Sequence, residues 1–140
     1  MRRRSAALTP ITIVVVVGGA GCSQPEIRSE ANASVIIDGI DQGPTSQVTC
    51  SQLKSSWFLD IRQVASSVTA IVDRTGDKAT AETVDFRGFG GFTGSYWQGG
   101  DHTADTTFAN QTFTISGTAS GVKAGSPKPV TATLKIVARC

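Results

Sequence analysis

Hydrophobic and polar residues alternate one by one along most of the chain after Ser34, and turn-forming residues separate the alternating runs. Successive side chains of a β-strand point to opposite faces, so a period of two predicts half-buried strands. The last run shows this most clearly, with one phase made of Val130, Ala132, Leu134, Ile136, Ala138 and Cys140 and the other of Thr131, Thr133, Lys135 and Arg139. The pattern predicts a C-terminal strand over 130–140 whose inward face includes Cys140.

Shorter runs of the same kind predict further strands over 35–37, 47–50, 57–62, 68–73, 80–87, 91–97, 106–109 and 111–118. Thr75-Gly76-Asp77 separates two of these runs and favours a hairpin turn, because Gly and Asp tolerate a positive φ. Helical spacing of apolar residues occurs only within 64–72, which leaves room for one short helix. The pattern predicts an all-β domain, an antiparallel β-sandwich or open barrel of about eight short strands.

The first 21 residues fall into three zones that together are typical of a secretory signal. Arg2-Arg3-Arg4 precedes an apolar stretch centred on 11–17, and small residues follow at 18–21. A transmembrane helix is the alternative, but the 17 residues from Ser5 to Gly21 include Pro10 and end in glycine, whereas a bilayer core needs about 20 apolar residues. We expect a signal peptide over 1–21, a lipidated N-terminus and flexible tether over 22–33, and a β domain over 34–140.

Cys22 stands where this signal would be cleaved. Gly19-Ala20-Gly21-Cys22 resembles the lipobox of bacterial lipoproteins, in which the cysteine becomes the first mature residue and its thiol accepts diacylglycerol. The position before the alanine is usually aliphatic and is Gly19 here. An ordinary secretory signal, with Cys22 as a bystander, is the alternative. The resemblance implies lipidation of Cys22 and a protein that its lipid anchors on the extracytoplasmic face of the cell membrane.

Cys50 and Cys140 are the other two of the three cysteines. An odd number of cysteines in an exported protein needs an explanation, and lipidation of Cys22 supplies one. The remaining two thiols lie in the inward phases of their predicted strands and can pair in an oxidising compartment. Two unrelated buried thiols are the alternative. A metal site is disfavoured, because neither cysteine has a second Cys or His within a few residues.

Composition and charge limit the partners of the chain. A length of 140 residues suits one domain, and the formal net charge is +2. Arg2, Arg3 and Arg4 account for three of the 13 basic residues, and the rest of the chain has 10 basic against 11 acidic residues. Phosphate neutralisation supplies most of the affinity for nucleic acid. A nearly neutral domain without a basic stripe is therefore excluded as a nucleic-acid binder.

Several segments together resemble the mycobacterial lipoprotein antigens of the nineteen-kilodalton, LpqH type. They are the lipobox ending in Cys22, Val-Ile-Ile-Asp-Gly at 35–39, Val-Thr-Cys at 48–50, Phe-Thr-Ile-Ser-Gly-Thr-Ala-Ser-Gly-Val at 113–122 and the strand that closes on Cys140. The resemblance implies a surface lipoprotein of the cell envelope with no established catalytic activity. It also implies that host pattern-recognition receptors engage the acylated cysteine, and that Cys50 pairs with Cys140.

His102 is the one histidine, and Asp101 and Asp105 flank it. A nucleophile, a histidine and an aspartate could form a hydrolase site, or the three side chains could hold a divalent cation. Gly117-Thr118-Ala119-Ser120-Gly121, however, has its serine one position too late for the Gly-x-Ser-x-Gly nucleophile elbow. We therefore expect a solvated turn at His102, and no catalytic residue, metal ligand or cofactor.

Phe89, Phe92, Tyr96 and Trp97 form the densest aromatic cluster. Aromatic faces can stack on sugars or line a lipid pocket, but they also fill hydrophobic cores. The cluster supports an alternative function for the chain, a module that binds an envelope lipid or glycan near Tyr96 and Trp97.

Overall fold

The computed structural model describes residues 31–140, and these residues form ten antiparallel strands. The strands are β1 (Asn32–Ile37), β2 (Ile40–Asp41), β3 (Gln47–Leu53), β4 (Ser56–Gln63), β5 (Ser66–Thr75), β6 (Lys78–Phe89), β7 (Phe92–Trp97), β8 (Ala104–Ala109), β9 (Thr112–Lys123) and β10 (Val130–Arg139). The prediction of an all-β antiparallel domain is confirmed. β1 begins two residues before the expected start of the β domain, because Asn32 and Ala33 already pair with β10.

All ten strands belong to one sheet in the order β2-β1-β10-β9-β7-β6-β5-β4-β3, with β8 paired to β9 beside β7. The sheet is not closed into a barrel, since hydrogen-bonded strand pairs do not link β3 to β1 or β10. The run from β3 to β7 is a meander in which each strand pairs with the next one along the chain. One face of this sheet encloses the core.

The strand missed by sequence patterning is β2, whose two residues are too few to show an alternation. The optional helix within 64–72 does not form. Val64 and Ala65 make the turn between β4 and β5, and the Val64 side chain is fully exposed. Among residues 31–140 there is no helix of the length and apolarity that membrane crossing requires.

The core contains only hydrophobic side chains, and no polar or charged residue of 31–140 is buried. Its largest fully buried members are Phe86, Phe89, Phe92, Phe113, Leu59, Ile61, Ile115 and Ile136. β9 contributes Phe113 and Ile115 to this set and β10 contributes Ile136, in each case through the alternation of side chains along the strand. The burial of these side chains supplies the main driving force for folding.

β6 changes phase twice along its length. Ile71 pairs with Thr83 while Val72 pairs with Ala81, so Glu82 is an extra residue in a β-bulge. The bulge moves the inward phase from Ala81 to Val84 and Phe86. A second irregularity after Phe86 shifts the inward phase again. A positive φ of 63° at Gly88 falls within this irregularity, and Phe89 becomes buried.

A disulfide between Cys50 and Cys140 joins two strands that the sheet order places far apart. Cys50 lies on the edge strand β3, and Cys140 follows β10, with a Cα–Cα distance of 5.9 Å. Both cysteines pack against the core. The pairing that the family resemblance implied is therefore present. This bond brings the free edge of β3 next to the other end of the sheet.

Asp38 fastens the β1–β2 turn to the two long C-terminal strands. Its backbone N–H donates to the carbonyl oxygen of Thr133, whose own N–H donates to Oδ1 of Asp38, both at 3.0 Å. Lys123 Nζ lies 3.3 Å from Oδ2. The hydrogen bond from the Thr133 backbone is the main cause of a lowered pKa of Asp38, and Lys123 lowers the pKa further.

We predict that replacing both Cys50 and Cys140 by serine lowers the free energy of unfolding of the mature protein. The bond closes a loop with a sequence separation of 90, and the chain-entropy model gives about 4–5 kcal/mol for a loop of that size as an upper guide. Urea denaturation without reductant measures the difference. The control is parent protein in reductant, which should match the variant. Equal midpoints for oxidised parent and variant would contradict the role of the bond.

We predict that Asp38→Asn removes a pH-dependent part of the stability. A carboxylate whose pKa is lowered on folding stabilises the native state above its unfolded pKa of about 3.8, and this contribution is lost as pH falls through the folded value. Because Asp38 is partly exposed, the gap between parent and variant at pH 7 should be about 1 kcal/mol or less, and it should vanish in acid. Urea titrations from pH 7 to pH 2 measure it. Lys123→Met should give a smaller gap, and a gap independent of pH would refute the assignment.

Candidate functional site

His102 lies on the outer face of the sheet, in the segment that connects β7 to β8. Its Nδ1 is 3.0 Å from Oγ1 of Thr118, and its Nε2 contacts Oγ of Ser120. Thr118 and Ser120 point outward because their neighbours in the alternation, Ile115 and Ala119, point into the core. The imidazole therefore fixes the β7–β8 segment to β9 through both of its ring nitrogens.

Each contact of His102 pairs a ring nitrogen with a hydroxyl group. A hydroxyl group can donate or accept, so each pair can form a hydrogen bond. The Thr118 N–H also donates to the carbonyl oxygen of Thr103 at 3.2 Å, which adds a backbone bond between the segment and β9. The segment from 98 to 103 is thus held in place from two sides.

The pair of Ser120 and His102 lacks the carboxylate that a catalytic triad requires. The second nitrogen of His102 contacts the Thr118 hydroxyl, whereas neither Asp101 nor Asp105 is hydrogen-bonded to the ring. A triad aspartate holds the tautomer and stabilises the imidazolium, which a neutral hydroxyl does far less well. Within residues 31–140 no three His, Cys, Asp or Glu side chains lie close enough to hold a metal ion.

A small cavity of about 30 Å³ lies beside His102. It is lined by Ser95, Tyr96, Trp97, Gly100, Asp101, His102 and Ser120. This volume is about that of one water molecule, whereas pockets for small molecules occupy about 300–1,000 Å³. The cavity can take one protruding polar group, and an acyl chain or a whole sugar ring does not fit inside it.

The four aromatic residues expected at a ligand site have different positions. Phe89 and Phe92 are 0% and 1% exposed and belong to the core, so they present no surface to a ligand in this structure. They are inward because the second irregularity in β6 and the alternation of β7 turn them to that face. Tyr96 is 5% exposed and closes the core side of the cavity, whereas Trp97 is 55% exposed.

Trp97 is the only aromatic side chain among the exposed large hydrophobic residues of the described region. It follows Tyr96 on β7 and therefore points to the outer face. The backbone of Gly100 packs against the edge of the indole. A side chain does not fit there, since a Cβ atom at this position would lie 2.6 Å from Nε1 of Trp97. The glycine lets the backbone reach the ring edge, and the adjoining segment fixes the indole while its surface stays open.

Three residues of this site were not expected from the sequence. Ser95, Thr118 and Ser120 carry ordinary hydroxyls in strands, and Ser95 pairs directly with Ser120 across β7 and β9. Their outward phase was visible in the alternation, but their proximity to His102 depends on how the β7–β8 segment crosses β9. Local sequence does not determine that crossing.

A groove of about 550 Å³ lies where the two ends of the sheet approach each other. It is open to solvent and is lined by Ala31, Asn32, Thr45, Ser46, Gln47 and Val48. Most of these side chains are polar, so the groove does not provide an apolar site for a lipid chain. Cys22, the expected lipidation site, lies outside the residues that the structure describes.

Comparisons with known proteins agree with the envelope assignment. The family model described as Mycobacterium 19 kDa lipoprotein antigen matches residues 26–140. Over the full length of both chains, the protein is 36% identical to a protein of Mycobacterium indicus pranii named as a lipoprotein and 35% identical to "Probable lipoprotein LppE" of Mycobacterium tuberculosis. It is 30% identical to "Lipoprotein LpqH" of Mycobacterium bovis, with 100% of this chain and 99% of that protein covered.

These matches cover the described β domain and imply association with the cell envelope. The chain belongs to the Mycobacterium 19 kDa lipoprotein antigen family.

Proposed function

We propose that this protein is a non-enzymatic surface lipoprotein, held on the extracytoplasmic face of the cell membrane by acyl chains on Cys22. The observation that carries the proposal is the lipoprotein family match over 26–140, which begins just after a signal-like segment ending at Cys22. In this proposal residues 1–21 are removed as a signal peptide. One acyl chain gives only marginal membrane binding, whereas two or three chains on one residue anchor a protein stably.

The tether in this proposal is short. β1 begins at Asn32, which leaves nine residues, 23–31, between the acylated cysteine and the sheet. A fully extended chain of that length reaches at most about 30–32 Å. The β domain is therefore held close to the membrane surface.

The acylated N-terminus is the feature by which this molecule engages host pattern-recognition receptors. What supports this part of the proposal is the membership of an antigen family. The core is apolar throughout, and the one Ser–His pair of the described residues has no carboxylate partner. The β domain acts as a stable carrier of the lipidated terminus.

A second candidate function is glycan binding on the outer face of the domain. One observation favours it, the open indole of Trp97 beside a small cavity that Asp101, His102 and Ser120 help to line. Lipid binding at the same place is disfavoured, since about 30 Å³ is far below the volume of an acyl chain.

We predict that Cys22→Ala releases the protein from the membrane fraction, because the variant lacks the thiol that accepts the lipid. Fractionation of the producing cells, with intact mass of the purified protein, measures the change. The control is Ser23→Ala, which keeps the thiol and should stay membrane-bound with an acylated first residue. Retention of Cys22→Ala in the membrane, or a parent protein without acyl mass, would contradict the anchor.

We predict that Ser120 does not react as a serine nucleophile. A fluorophosphonate probe labels serines that a histidine base and an oriented third group activate, and the Thr118 hydroxyl does not supply the charge of a triad aspartate. Mass spectrometry of the purified protein after incubation with the probe should show no adduct. An adduct in the parent that disappears in Ser120→Ala and in His102→Ala would overturn the non-enzymatic assignment.

A further inference from the structure

We infer that the outer face around Trp97 is a binding subsite for a neutral pyranose ring of a polysaccharide. The ring stacks on the indole, and one of its hydroxyl groups enters the cavity beside His102. This inference deepens the second candidate function and rests on it. It does not depend on the lipid anchor.

The apolar part of the subsite is the indole plane of Trp97. Trp97 is 55% exposed, and its strand neighbours on the outer face are polar, with Thr83 opposite it on β6 and Ser95 two residues before it. A protein interface has an extended apolar centre, and an acyl chain needs an apolar channel. A sugar ring needs neither, because its C–H groups cover one aromatic face and its hydroxyls lie at the rim.

The polar part of the subsite lies at the edge of that plane. Asp101, His102, Ser95 and Ser120 line the cavity next to the indole. A carboxylate accepts hydrogen bonds, and serine hydroxyls both donate and accept, which matches the hydroxyl groups of a sugar. The volume of about 30 Å³ is suited to one hydroxyl group and excludes the ring that carries it.

The exposed carboxylate of Asp101 favours a neutral ligand over an anionic one. Among the residues that line the cavity, Asp101 is the acidic one, and Lys and Arg are absent. The negative charge of a uronic acid or a phosphorylated sugar would find no basic side chain in the cavity to pair with. Asp101 would repel it. The subsite is therefore selective for neutral sugar units.

The subsite is rigid before any ligand arrives. Trp97 is the last residue of β7, and Gly100 packs against its ring edge. His102 fixes the intervening segment to Thr118 and Ser120. A preformed site loses little conformational entropy on binding, so even one stacked ring can give measurable affinity. His102 is a positioning residue in this arrangement.

The test uses the two tryptophans of the chain as reporters in one NMR spectrum. The mature, ¹⁵N-labelled protein is titrated separately with mannohexaose, maltohexaose and cellohexaose to about 10 mM, since a single stacked ring gives a Kd of about 1 mM. We expect the indole signal of Trp97 to shift and saturate with at least one of them. The indole of Trp57, which packs against Phe113 with ring centroids 5.3 Å apart, should not move.

Variants locate the site. Trp97→Ala should weaken binding about tenfold or more, and Trp97→Phe should restore much of it because a smaller ring still stacks. Leu53→Ala is the matched control, since Leu53 is 67% exposed on the distant strand β3 and should leave binding unchanged. Replacing the probe by oligogalacturonate should abolish the shift in the parent, and Asp101→Asn should relax that discrimination.

Two results would overturn the inference, and they can be told apart. If no oligosaccharide shifts any backbone or indole signal at 10 mM (about −2.7 kcal/mol at that limit), both the subsite and the glycan-binding function fail. If an oligosaccharide binds but Trp97→Ala binds it equally well, the function survives and the subsite is elsewhere.

Discussion

The covalent link between Cys50 and Cys140 is the constraint on which the arrangement of this sheet depends. From β3 to β7 every strand pairs with its neighbour in sequence, so hairpin closure suffices to assemble them. The approach of β3 to the C-terminus has no such local support, because the two cysteines are 90 residues apart and no strand pairing connects these edges. A covalent bond across a loop of this length lowers the entropy of the unfolded chain substantially.

The alternation of side chains gives this sheet an inner face and an outer face with different chemistry. The inner face holds aromatic and aliphatic side chains together with the disulfide, and no polar or charged residue of 31–140 is buried there. Any recognition by the domain therefore takes place on the outer face or at the N-terminus. Asp38 and His102 both lie on the outer face. Asp38 binds the β1–β2 turn to β9 and β10, and His102 binds the β7–β8 segment to β9, each through two polar contacts. Trp97 lies beside His102 and stays open as the exposed aromatic surface.

Much of this architecture follows from the alternation of residues. The phase of Val130 to Cys140 predicted β10 and the inward cysteine correctly, and the turn at Gly76 is present with a φ of 61°. Alternation failed where the backbone departs from regular pairing. The bulge at Glu82 and the irregularity at Gly88 turn Phe89 into the core, and neither is visible as a break in hydrophobicity. The contact of His102 with Ser120 joins residues 18 apart through a crossing segment, so local patterning could not predict it.

The claim that the disulfide holds the edge of the sheet is tested most directly by hydrogen–deuterium exchange of the oxidised and the reduced protein at pH 7. Local opening exposes amides in cooperative units, and an edge strand opens at a lower free energy than the centre of a sheet. We expect that after reduction the amides of β3 lose protection well before those of β5 and β6. Protection of β3 that is unchanged by reduction, or that falls only in step with β5 and β6, would contradict it.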